Sequence, residues 1–159
     1  MRWTFAIVLG VALVALPAQA ARSTDSATQT IRLVSFTVNS RLTLDRPPKG
    51  QPSKGDVVRE ESILRNAVRQ FGKAKGANVG SDVGIFTITS VRPVRISVKL
   101  VVRLPGGTLR GTARIVGTRI ADIRIGGGTG DFARARGTGT VRDNGRAPGV
   151  FNIYRLRLP

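Results

Sequence analysis

Carboxylates are the groups with which this chain could do chemistry. Its 159 residues include no cysteine and no histidine. A thiol nucleophile, an imidazole base and a zinc centre of the usual ligands are therefore excluded, no disulfide can form, and no cofactor or metal is expected. Nine Asp and Glu stand against 26 Lys and Arg, a formal charge of +17, so each acid can be weighed singly. Glu60 and Glu61 are adjacent in an extended run and must point to opposite faces, which rules out a carboxylate dyad between them. Glu60 shares its parity with Ser62, and Asp82 shares its parity with Phe86. A carboxyl buried on such a face has a raised pKa and can serve as a general acid or base. A Glu60 at an edge would instead be solvated, or paired with Arg59 or Arg65.

The most distinctive stretch is Gly126-Gly127-Gly128-Thr129-Gly130-Asp131-Phe132, running on to Thr138-Gly139-Thr140-Val141. Gly126 and Gly128 make a G-x-G pattern, but the Lys-Ser/Thr of a phosphate loop is missing and no helical apolar period follows. The stretch reads as a tight turn between two strands, with φ > 0 or close backbone approach at its glycines, Gly128 in the middle. Phe132 supplies one large apolar plug.

The elements that would position these groups are strands. Val94, Ile96, Val98, Leu100, Val102 and Leu104 share one parity, opposite Arg95, Ser97, Lys99 and Arg103. Alternation of that length means a strand with one buried and one wet face. Further strands are expected over 31–38, 56–65, 82–89, 108–116, 118–125, 138–142 and 150–158, with hairpin signals at Pro105-Gly106-Gly107 and Asp143-Asn144-Gly145. Residues 45–55, with three prolines, two glycines and two lysines, form a long loop of the kind found at a mouth. Residues 66–80 form a basic loop in which Ala67, Val68 and Phe71 could make one helical turn. Met1–Ala20 has the layout of a secretory signal peptide: Arg2, an apolar run over 5–16, and Ala18-Gln19-Ala20 before the cut. That run is too short to span a membrane comfortably, so the chain is expected to be secreted without a transmembrane segment. Residues 21–30 are small and polar, a mobile lead-in to a domain over 31–159.

The glycine stretch G-G-T-G-x-F-x-x-A-x-G resembles the signature hairpin of the dirigent and allene oxide cyclase superfamily. Gly55-Asp56-Val57-Val58 with Leu64 is similar to the entry of that family's second strand, and Val79-Gly80-Ser81-Asp82-Val83-Gly84-Ile85-Phe86 to the start of its third. Phe151 to Leu158 is similar to its closing strand. The matches run in order over almost the whole chain after the signal segment. They imply an all-β, eight-stranded antiparallel β-barrel, which also disposes of exposed sheet edges. The resemblance turns the parity of Glu60 and Ser62, of Thr37 and Asn39, and of Asp82 and Phe86 toward the barrel cavity. Glu60 and Asp82 are then the candidate catalytic carboxyls, with Asn39, Ser62, Phe86 and Tyr154 as ligand-binding candidates.

The departures limit what carries over. The position of the first-strand acid used by allene oxide cyclases and dirigent proteins is held here by Thr37. The cyclases' second-strand asparagine is Ser62 and their third-strand cysteine is Phe86, whereas Asn39 matches. Neither plant activity is inherited unless Glu60 or Asp82 substitutes, because fold does not carry function. The expected function is the binding of a small apolar or phenolic molecule in the barrel, with an isomerase- or cyclase-type activity if it is catalytic. The alternative is a non-catalytic basic barrel that adheres to anionic envelope polymers through its strand arginines. Nucleic acid is the poorer partner, since aromatics for base stacking are few. The resemblance also implies a homotrimer built through barrel walls, against which the outward arginines would repel.

Overall fold

The computed structural model describes residues 27–117, 119–120, 122–144 and 148–159. Met1–Ala20, Ala21–Ser26 and Gly145 of the expected hairpin turn lie outside the described residues. Nine strands follow one another: β1 (Ala27–Leu44), β2 (Val57–Asn66), β3 (Asn78–Val91), β4 (Val94–Leu104), β5 (Gly107–Val116), β6 (Arg119–Ile120), β7 (Ile123–Gly130), β8 (Arg136–Asp143) and β9 (Val150–Leu158). They pair antiparallel in the order β4-β3-β2-β1-β9-β8-β7-β5, and β4 pairs with β5 to close the ring. The result is an eight-stranded barrel, with β6 a two-residue appendage on the end of β5.

Strands β1, β3 and β8 are longer than the sequence suggests, β2, β4 and β9 have the expected lengths, and several features are placed differently. The lead-in is strand from Ala27 on, paired through Leu158 and Arg157 to β9, because a partner strand satisfies its backbone where composition alone offers no apolar signal. No helical turn forms near Phe71. That residue has φ 54° and sits in a tight loop bridged from Gln70 to Lys73. The expected strand over 118–125 is split between β6 and β7. Gly126–Gly130 is not the turn but the second half of β7, laid against Gly107–Arg110 of β5. The turn comes after it, over Asp131–Arg134, where Phe132 and Ala133 donate to the carbonyls of Thr129 and Gly130.

The inward residues divide the barrel into a filled half and an open half. Ile31, Leu33, Leu64, Val102, Leu104, Leu109, Ile125 and Leu156, with Phe132 and Ala135 from the turn, pack one end solid. Farther along the same strands the inward positions are smaller or polar: Ser35, Ser62, Asp82, Ala113 and Asn152. Here the core stops and a cavity begins. The loop after β1 borders this open end. Asp56, 4% exposed, organises it by accepting the N–H groups of Arg46 and Ser53, each at 2.7 Å. The glycine hairpin therefore seals the end of the barrel opposite the cavity.

Candidate functional site

The cavity has a volume of about 240 Å³ and is lined from eight strands. Val98, Leu100, Ala113, Ile115, Ile123 and Val141 make an apolar wall, and Ser35, Ser62, Asp82, Asn152 and Tyr154 a polar one. The register explains the polar wall. Ser62 of β2 stands directly across from Asp82 of β3 and from Thr37 of β1, so three adjacent strands bring short polar side chains to one patch.

Asp82 is the chemical centre of that patch. It is 8% exposed, and the Ser35 hydroxyl donates to its Oδ2 at 3.4 Å. Burial pushes the Asp82 carboxyl above the ordinary range; hydrogen bonds from Ser62 and Ser35 pull it down in part, and the nearby Glu60 charge raises it again. Tyr154, 1% exposed, forms the neighbouring wall. Burial, then the Asp82 charge, raises its phenol far above its usual value, so it stays a neutral hydrogen-bonding group. The Tyr154 ring lies on Gly139, where a Cβ would come within 2.7 Å of Cδ1. The Phe86 ring folds over Gly84 in the same way, with Cε2 2.6 Å from the position of a Cβ. Two glycines thus make room for the two aromatic walls.

Glu60 lines the cavity nearer its mouth, where the Ser40 hydroxyl approaches its Oε1 at 3.4 Å. Its neighbour Glu61 points outward and carries the ion pair, with Arg59 Nη2 at 2.8 Å. The Arg59 guanidinium, aided by Asn39 and Arg41, holds the Glu61 carboxyl below the usual range against some desolvation. Arg65 takes neither acid; its guanidinium lies 5.1 Å above the Phe36 ring.

Of the residues singled out from the sequence, Glu60, Ser62, Asp82, Phe86 and Tyr154 line one cavity. Asn39 does not. The β1–β2 register shifts between Thr37 and Asn39, so Thr37 faces Ser62 but Asn39 faces Glu61. That bulge reverses the parity and turns Asn39 to the exposed outer face. Ser35 and Asn152 escaped the sequence reading, although each shares a parity already assigned inward, Ser35 with Thr37 and Asn152 with Tyr154. Among the described residues, no group of three or more acids is placed to hold a metal ion.

This arrangement can hold one small, mostly apolar molecule and present to it a desolvated carboxyl, a phenol and short hydroxyls. No family model matches this chain, and no curated protein sequence matches it. Solved structures do. A pyocyanin demethylase superimposes with a TM-score of 0.60 at 22% identity, over 80% of this chain and 99% of that one. A pterocarpan synthase dirigent protein gives 0.58 at 18%, over 84% and 90%. A Diels–Alderase from Streptomyces koyangensis gives 0.59 at 16%, over 86% and 71%. At such identities the likeness is one of fold: this chain has a closed eight-stranded barrel fold like that of dirigent proteins and Diels–Alderase barrels.

Proposed function

We propose that the barrel binds one small, largely apolar molecule carrying a carbonyl or phenolic oxygen, and that Asp82 gives that oxygen a hydrogen bond or a proton. The observation that carries this reading is a single buried carboxyl, its pKa raised, set in the wall of an otherwise aliphatic cavity. About 240 Å³ accommodates a one- or two-ring molecule, given that an apolar cavity of roughly 150 Å³ holds benzene. A neutral acid in a desolvated pocket can polarise or protonate an oxygen as charge develops on it. Glu60 near the mouth is the candidate acceptor for a proton leaving elsewhere on the ligand, which makes the reaction an isomerase- or cyclase-type proton shift. Ser62, Phe86 and Tyr154 bind and orient. The similar structures support the reading by name, since pyocyanin and pterocarpans are ring compounds and a Diels–Alderase builds rings.

Calorimetric titration with 2-naphthol tests the binding. Wild-type protein should take up one molecule per chain. Leu100→Trp, which fills the cavity from its aliphatic wall, should abolish uptake without unfolding the barrel. Undiminished uptake by a folded Leu100→Trp variant would put the site elsewhere.

We also propose that the chain is exported, with Met1–Ala20 removed. The support is the short apolar run ended by Ala18-Gln19-Ala20. N-terminal sequencing of protein from the culture medium should begin at Ala21. Recovery of the full-length chain in the cytoplasmic fraction alone would contradict this.

A further inference from the structure

The outer wall of the barrel carries a pattern that the cavity does not use. Strands β4, β5, β7, β8 and β9 bear ten Lys and Arg, and their sole acid is Asp143 at the end of β8. The registers set part of this charge in a row. Lys99 lies beside Thr112, Thr112 beside Arg124, Arg124 beside Thr138, Thr138 beside Arg155, and Arg155 beside Thr30. All six side chains are exposed. Adjacent strands are about 4.8 Å apart, so the backbones that carry cations on alternate strands are about 10 Å apart, with a hydroxyl residue between each pair, and the charged tips spread wider because the barrel wall curves.

Beside this row the wall opens. After the Thr112–Arg124 pair β5 leaves β7 and turns to β6. The split is a surface groove of about 500 Å³ lined by Ser97, Thr112, Ala113, Arg114, Asp122 and Arg124. Two guanidinium-bearing residues and two hydroxyls thus border one opening. Asp122 is the one acid there, and it discourages a densely charged occupant. The ion pair found among the described residues, Arg59 with Glu61, lies on β2, outside this wall.

We propose that this wall is a docking face for a linear acidic polysaccharide that follows the curve of the barrel, with the Lys99–Arg124–Arg155 row meeting carboxylates along the chain and the Arg114–Arg124 groove seating one sugar ring. Charge complementarity argues for a polyanion, and the low density of charge along the row argues for which one. A glycan with one carboxylate per disaccharide carries sparse, widely separated charge, as the row does. Duplex DNA packs one charge into every ~1.7 Å of its axis, far denser than the row, and the row holds no aromatic side chain on which a base could stack. The alternating threonines suit hydroxyl-rich sugars. Each exposed cation contributes little alone; the row acts by summing them, and salt screens each, so binding must weaken as salt rises.

The test uses hyaluronan, which carries one carboxylate per disaccharide, titrated into the full secreted protein at low and at physiological salt. One variant combines Lys99→Gln, Arg124→Gln and Arg155→Gln. A charge-matched control combines Arg41→Gln, Arg69→Gln and Lys75→Gln, three exposed cations outside the wall. Both should keep the wild-type denaturation midpoint, since all six positions are exposed. The row variant should lose at least tenfold in affinity, and its salt dependence should flatten; the control should lose less than threefold. Equal losses in the two variants would reduce the effect to net charge and overturn the proposal. So would no measurable hyaluronan binding by the wild type, or tighter binding of an oligothymidylate of equal charge.

Discussion

Replacing Gly128 with valine is expected to cost the barrel about 3 kcal/mol or more, beyond what overpacking usually costs. Its backbone is not in the left-handed region, so the reason is space. A Cβ on Gly128 would stand 1.7 Å from the carbonyl oxygen of Thr108 and 3.0 Å from that of Phe132. Both are main-chain atoms and cannot rotate aside. Strand β7 would have to lift from β5, and the Asp131–Arg134 turn, which holds Phe132, 2% exposed, in the filled end, would have to give as well. Gly126→Ala is the matched control, because nothing lies within 4 Å of a Cβ there and its φ is ordinary. Urea denaturation of the two variants should show a large fall in midpoint for Gly128→Val and almost none for Gly126→Ala. Equal midpoints would mean that the β5–β7 approach is not held closely.

The second large effect is on the pH dependence of stability. The folded pKa of Asp82 is raised, so between the ordinary value of about 3.9 and the folded value the native state holds a proton that the unfolded chain has released. Stability is therefore full below that ordinary value, falls as pH rises through this window, and stays lower above the folded pKa. Each unit of displacement corresponds to about 1.4 kcal/mol. Asp82→Asn is a neutral replacement of nearly the same shape and should remove the decline. Wild type and variant should then be closest in acid, with the variant gaining on wild type as pH rises toward neutrality. Asparagine keeps a hydrogen-bond donor but cannot release a proton, so 2-naphthol should still bind while any proton-transfer turnover is lost. A wild-type stability that rises across the same window relative to Asp82→Asn would show that the carboxylate is stabilised rather than desolvated.

Much of this architecture was legible in the residue order, and the gaps have physical causes. The Val94–Leu104 alternation marks β4 because one face is packed and the other wet, which is the condition under which parity reads out. The family resemblance, added to strand parity, turned Glu60, Ser62, Asp82 and Phe86 inward and offered Tyr154, and these five line the cavity. Asn39 shows the limit. One bulge after Thr37 reversed the parity, and bulges are set by pairing with β2, not by local composition. Gly126–Gly130 shows another. Glycine permits a turn but also permits strands to touch, and which it does depends on β5, which supplies the carbonyls it approaches. The division of the interior into filled and open halves was not legible, because it follows from which inward positions share a level across eight strands.

The most direct test of the central claim, a ligand held in the open half beside Asp82, is an NMR measurement on the protein with bound 2-naphthol. Intermolecular nuclear Overhauser effects are expected from the naphthol ring to the methyl groups of Val98, Leu100, Ile115 and Ile123, which line the cavity. Contacts confined to the outward methyls of Val83 and Val101, with the cavity methyls silent, would contradict it.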